Sequence, residues 1–119
     1  MRILVVEDEP LISMMLQDYL EIMDMEVVAI SDCVSSALGV IAGTSFDAAI
    51  VDVNLAGGET CADVVSELER REIPFILSSG DYGPASPWHG FPMMPKPYTL
   101  SDVETAMDGL KARMHSANV

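Results

Sequence analysis

The sequence predicts an α/β fold: a doubly wound, five-stranded parallel sheet with helices on both faces. Short apolar runs alternate along the whole chain with stretches whose apolar residues recur at helical spacing. The runs are also continuous rather than alternating, as in strands covered on both faces. Four of them stop abruptly at reactive side chains. Ile3–Val6 stops at Glu7-Asp8, Ala48–Val51 at Asp52, Phe75–Leu77 at Ser78-Ser79-Gly80, and Met93-Met94 at Pro95-Lys96-Pro97. In open α/β sheets the ligand site lies just beyond the carboxyl ends of the strands, so one pocket can collect all four ends.

Taken in order, Ile3–Val6 is the first strand. Pro10 suits the first turn of a helix, where Ile12, Leu16, Tyr19 and Met23 follow at helical spacing. Val27–Ile30 is a second strand, and Ser31 or Asp32 can cap a helix carrying Val34, Leu38 and Ile41. Gly43 stops that helix. Asp47–Val53 is the third strand, Gly57-Gly58 a loop, and Thr60–Arg71 a helix with Cys61, Val64, Val65 and Leu68 inward. Pro74 opens the fourth strand, Phe75–Ser78. Between Gly80 and Pro92 three prolines and three glycines exclude a regular helix of useful length, leaving this crossover degenerate. Met93–Met94 is a short fifth strand. Thr99 caps the last helix with Asp102 in a capping-box position, and Leu100, Val103, Met107, Leu110 and Met114 form its apolar stripe.

A chain of 119 residues, half of them hydrophobic, supports one domain with a real core, expected to span residues 1–119. The formal charge of −13 argues against nucleic acid or an anionic membrane surface as partner. Much of that charge reads as solubilising. Cys33 and Cys61 make no disulfide framework, and neither they nor the isolated His89 and His115 have metal-ligand spacing. Reduced thiols and a cytoplasmic setting are expected. No apolar stretch is long enough to span a bilayer, and the first residues run straight into a strand rather than a signal peptide.

Asp52 is the leading candidate for chemistry, though a carboxylate at a strand end can also be a simple terminator. Glu7 and Asp8 alone could be a solvated acidic turn before a helix. Placed beside Asp52 they become a three-carboxylate cluster that repels itself without a cation. Hard oxygen ligands of this kind suit Mg²⁺. Lys96, one of two lysines, sits between prolines that fix its backbone and could neutralise a phosphoryl oxygen. Its bond to Pro97 is of the kind that can be cis. Ser79 offers a hydroxyl, and Gly80 lets backbone approach a ligand closely.

With Glu7-Asp8, Asp52, Ser79-Gly80 and Lys96-Pro97 in this order, the chain resembles the receiver domain of bacterial two-component response regulators over essentially its full length. The resemblance implies a flavodoxin-like sheet of strand order 2-1-3-4-5, which brings Glu7, Asp8 and Asp52 to one switch point. It implies that Asp52 is the phosphoacceptor, taking its phosphoryl group from the histidine of a sensor kinase. Mg²⁺ would be held by Asp8, Asp52 and the backbone carbonyl of Asn54, with Glu7 acting mostly through water. Lys96 would pair with the phosphoryl group, and Ser79 would bond to it and couple it to the surface. The domain would signal by conformational change rather than act as an enzyme on other substrates.

Three features depart from the family pattern. Met93 stands where an aromatic switch residue is common, Ser79 and Lys96 are only 17 positions apart, and Ala56 replaces a frequent proline. The shortened segment, with Leu77-Ser78-Ser79-Gly80-Asp81-Tyr82, is similar to stand-alone receivers named for a "FAT GUY" motif, whose kinases are often of the HWE type. A loop over Gly80–Gly90 that orders on phosphorylation is expected on this resemblance. Tyr82, Trp88 and Phe91 in it either face a protein partner or cover core left bare by the missing helix. Asn54 and Asp81 flank the phosphate site and could guide a hydrolytic water. The competing readings are a phosphate sink, a non-phosphorylated adaptor, and a Mg²⁺-dependent aspartyl phosphatase of the haloacid dehalogenase type. The last wants an acid where Asn54 stands.

Overall fold

A computed structural model of the chain describes residues 1–80 and 86–117. It has five parallel strands: β1 (Arg2–Val6), β2 (Glu26–Ser31), β3 (Ala48–Asp52), β4 (Phe75–Ser79) and β5 (Met93–Pro95). They form one sheet in the order β2-β1-β3-β4-β5. Four α-helices cover it: α1 (Pro10–Ile22), α2 (Val34–Gly43), α3 (Ala62–Arg70) and α4 (Leu100–Ala117). The predicted fold class and strand order are present, and among the described residues no helix lies between β4 and β5.

Strand periodicity of two splits the core into two layers. On one face Ile3, Val5, Ile50, Ile76 and Met94 meet Leu16 and Leu20 of α1 and Val103, Met107 and Leu110 of α4. On the other Leu4, Val6, Ala49, Val51 and Leu77 meet Ala37 and Ile41 of α2 and Val64, Val65 and Leu68 of α3. Every residue of β3 is buried, so Asp52 is carried to the sheet end on a strand fixed from both sides.

The loop after β3 shifts the start of one helix and supplies the cap of another, both unlike the expectation. Asn54 and Thr60 pair as an antiparallel bridge, so α3 begins at Ala62 rather than Thr60. Gly57 and Gly58 turn this loop with φ of 73° and 78°, a region costly for any residue with a Cβ. Glu59 then accepts the Val34 N–H at 3.1 Å and caps α2 from outside. Neither Ser31 nor Asp32 does so: Ser31 is buried and bonded to the Ser36 hydroxyl. The capping box of α4 forms as predicted, with Thr99 N–H donating to Asp102 Oδ2 at 2.8 Å and Asp102 N–H to Thr99 Oγ1 at 3.3 Å. Among the described residues no helix is long and apolar enough to cross a membrane.

Candidate functional site

The sheet brings the polar strand ends together. Glu7 follows β1, its N–H donating to Ser31 O at 2.9 Å, and lies on the same sheet face as Ile3 and Val5. Asp52 ends β3 opposite Ser78. Lys96 follows β5, and its N–H is held by Ser79 O at 3.0 Å. Because β4 lies between β5 and β3, the Lys96 side chain must pass over the end of β4 to reach the carboxylates. Its Nζ sits 2.7 Å from Glu7 Oε1 and 3.1 Å from Asp52 Oδ2. The Lys96–Pro97 peptide is cis.

Glu7, Asp8 and Asp52 each place a carboxylate oxygen within 4.8 Å of the others. Glu7 is 4 % exposed and Asp52 6 %, while Asp8 is half-buried. Burial and the neighbouring Asp52 push the Glu7 carboxyl up to about 7, against the pull of Lys96. Burial alone would lower Lys96, but its hydrogen bond to Glu7 and the charge of Asp52 outweigh it and hold the ammonium above its ordinary value. Burial raises Tyr98, with Glu7 and Asp52 adding to it. The cluster thus carries more negative charge than Lys96 can offset. Its hard oxygen donors fit Mg²⁺, which takes one or two carboxylates and keeps several waters. The bond from Lys96 occupies one Glu7 oxygen, which suits a role for Glu7 through water rather than direct ligation.

The remaining predicted residues border this cluster. Ser79 is buried at the end of β4, and Gly80 is exposed beside it. Asn54 is exposed, its N–H 3.4 Å from Asp52 Oδ1. The two oxygens of Asp52 therefore have different neighbours, Lys96 for one and the loop after β3 for the other. Asp81 and Tyr82, with residues 83–85 of the expected mobile loop, lie outside the described residues. Trp88 and Phe91 pack against the α2/α3 layer, with centroids 5.6 Å apart edge to face and Phe91 6.2 Å from Phe75. They cover core. Met93 is half-buried against the same layer.

Sequence reasoning missed two features. Ser78, in register with Asp52, has a buried hydroxyl with no hydrogen-bond partner among the described residues. A second concavity, lined by Asn54, Thr60, Ser79, Ser86, Pro87 and Trp88, adjoins the cluster. Only the aromatic and proline content of the segment hinted at it.

The family model for the response regulator receiver domain matches residues 3–84. No curated protein matches the sequence. Among solved structures, SdrG from Sphingomonas melonis Fr1 is 41 % identical, with a TM-score of 0.81 over 92 % of this chain and 95 % of that one. A BeF3-activated conformation of SdrG superposes equally well, at a TM-score of 0.81. The response regulator PhyR from Brucella abortus is 26 % identical with a TM-score of 0.88. That match covers 99 % of this chain but only 50 % of PhyR. The chemotaxis regulator CheY4 of Vibrio cholerae, at 20 % identity and a TM-score of 0.79, shares the fold.

Proposed function

The chain belongs to the response regulator receiver family, and from that membership we propose that Asp52 accepts a phosphoryl group from the histidine of a sensor kinase. The observation that carries this reading is the meeting of Glu7, Asp8, Asp52 and Lys96 at one sheet end. Asp52 Oδ1, free of Lys96, is the nucleophile. Lys96 exchanges its bond to Asp52 for one to the arriving phosphoryl oxygens, which is charge neutralisation by a group already in place. Ser79 bonds the phosphoryl group, and the open backbone at Gly80 admits it. Asp8, Asp52 and the Asn54 carbonyl would hold Mg²⁺, with Glu7 acting through water. The bound ion supplies charge neutralisation at the phosphoryl oxygens.

The same reading takes residues 1–119 as a stand-alone cytoplasmic receiver of the "FAT GUY" type, served by a kinase of the HWE type and signalling to a protein partner. The 41 % identity to SdrG, matched over 95 % of that chain, supports the short form. The half-length match to PhyR makes a longer effector-bearing arrangement the alternative. On α1, Leu11, Met14 and Ile22 are exposed, with 81 %, 60 % and 67 % of their surfaces open. An apolar stripe at these steps suits a helical partner such as a kinase bundle.

The deciding experiment is intact mass after incubation with acetyl phosphate, with and without Mg²⁺, for the native chain and Asp52→Asn. One phosphoryl adduct requiring both Mg²⁺ and Asp52 is expected. No adduct at the earliest times, with beryllofluoride leaving Trp88 fluorescence unchanged, would favour an adaptor that keeps only the fold.

A further inference from the structure

We propose that the concavity beside Asp52 seats the leaving group of the phosphodonor, an imidazole ring, with Trp88 as its wall. This rests on Asp52 being the phosphoacceptor. The cavity holds about 230 Å³, and its lining includes Asn54, Thr60, Ser79, Ser86, Pro87 and Trp88. Pockets for drug-sized ligands hold roughly 300–1,000 Å³, so this smaller space suits a single side chain.

Its position follows from the two oxygens of Asp52. Oδ2 is engaged by Lys96 and Oδ1 faces the Asn54 N–H, so the free oxygen opens on the cavity's side. Phosphoryl transfer runs in line, with the departing atom opposite the attacking oxygen. A phosphorus bonded to Oδ1 then releases its donor on its far side, and we place that departing ring in the cavity because Asn54 and Ser79, which flank Asp52, both line it. The new P–O bond forms on Asp52 as the P–N bond breaks, and both electrons of that bond stay on the ring nitrogen. A ring that enters protonated on its other nitrogen leaves as neutral imidazole, so no further proton is needed.

The lining matches such a ring. Pro87 and Trp88 offer flat apolar surface, and Asn54 and Thr60 offer oxygen acceptors for the ring N–H. Trp88 is held for the task. Its backbone N–H donates to the buried Ser86 hydroxyl at 3.2 Å, and its indole meets Phe91 edge to face. Nothing in the Asp52–Lys96 cluster touches it through a hydrogen bond or ion pair among the described residues.

The test compares two small donors with the same P–N bond, phosphoimidazole and ring-free phosphoramidate, at saturating Mg²⁺. Native chain is expected to react preferentially with phosphoimidazole. Trp88→Ala should erase about tenfold of that preference, the size of a lost stacking contact, while its rate with phosphoramidate stays unchanged. Trp88→Phe should retain most of it. Thr60→Val, at an exposed loop position, should lower the preference without disturbing the core, and serves if Trp88→Ala fails to fold. An equal loss with both donors would make Trp88 merely structural, and unchanged rates with both would leave the cavity without this role; either overturns the proposal. Failure of the native chain to react with any donor would overturn the phosphoacceptor reading and the seat together.

Discussion

Replacing Lys96 by Met keeps the apolar stem that crosses β4 and deletes the one cation that, among the described residues, contacts Glu7 and Asp52. At an effective dielectric of about 20, opposite unit charges 2.7 and 3.1 Å apart attract by roughly 5–6 kcal/mol each before desolvation is charged against them. Breaking a buried pair by removing one partner costs a net of about 3–5 kcal/mol. The cost must depend on pH, because Glu7 titrates near 7. Below that value Glu7 is protonated and the loss is confined to the Asp52 contact. Above it the native Glu7 is ionised and paired, whereas the variant must either leave two carboxylates uncompensated or keep a proton on Glu7. Urea denaturation in EDTA at pH 5.5 and 8 should therefore show the larger destabilisation at pH 8, and added Mg²⁺ should restore part of it. Equal losses at the two pH values, or a variant more stable than the native chain at pH 8, would refute this account of the cluster.

Three further outcomes follow from particular side chains. Glu7 binds its proton more tightly folded than unfolded, with a pKa of about 7 against 4.5, so without metal the native chain should gain stability as pH falls from about 7 to 4.5. That gain is bounded at about 3 kcal/mol, and Glu7→Gln should flatten the profile across this window in urea titrations. Ser78→Ala removes a buried hydroxyl with no partner among the described residues and should raise stability by about 1 kcal/mol, seen as a Tm higher by several degrees. Glu59→Ala should cost about 1 kcal/mol and speed amide exchange in the first turn of α2, since the Val34 N–H loses its acceptor.

Much of this architecture was legible because buried parallel strands leave continuous apolar runs, and because their ends carry the only polar residues the sheet tolerates. The capping box at Thr99 and Asp102 was equally legible, being local. What stayed hidden depends on distance along the chain. The acceptor that caps α2 comes from Glu59, 25 positions away, so local candidates Ser31 and Asp32 misled. Helices α1 and α3 run into left-handed residues Asp24 and Glu72, with φ of 59° and 57°, where no glycine gave warning. Of the candidate site, the membership of Glu7, Asp8, Asp52 and Lys96 could be inferred one strand end at a time. The bond between Lys96 and Glu7, 89 positions apart, could not. That bond also answers the repulsion argument in part: the chain supplies one cation of its own.

The outer margin of the sheet is closed by chemistry at Pro95. In the ladder to β4, Pro92 O accepts from Leu77 and Lys96 N–H donates to Ser79, so even-numbered residues of this strand point inward and odd-numbered ones outward. Pro95 occupies an outward position, where a missing N–H weakens nothing in the native ladder. An intruding strand arriving along β5 would find the Met93 amide and then a ring that cannot donate. Crowded at high concentration in a cell, such molecules gain protection against edge-to-edge polymerisation at a margin only three residues long.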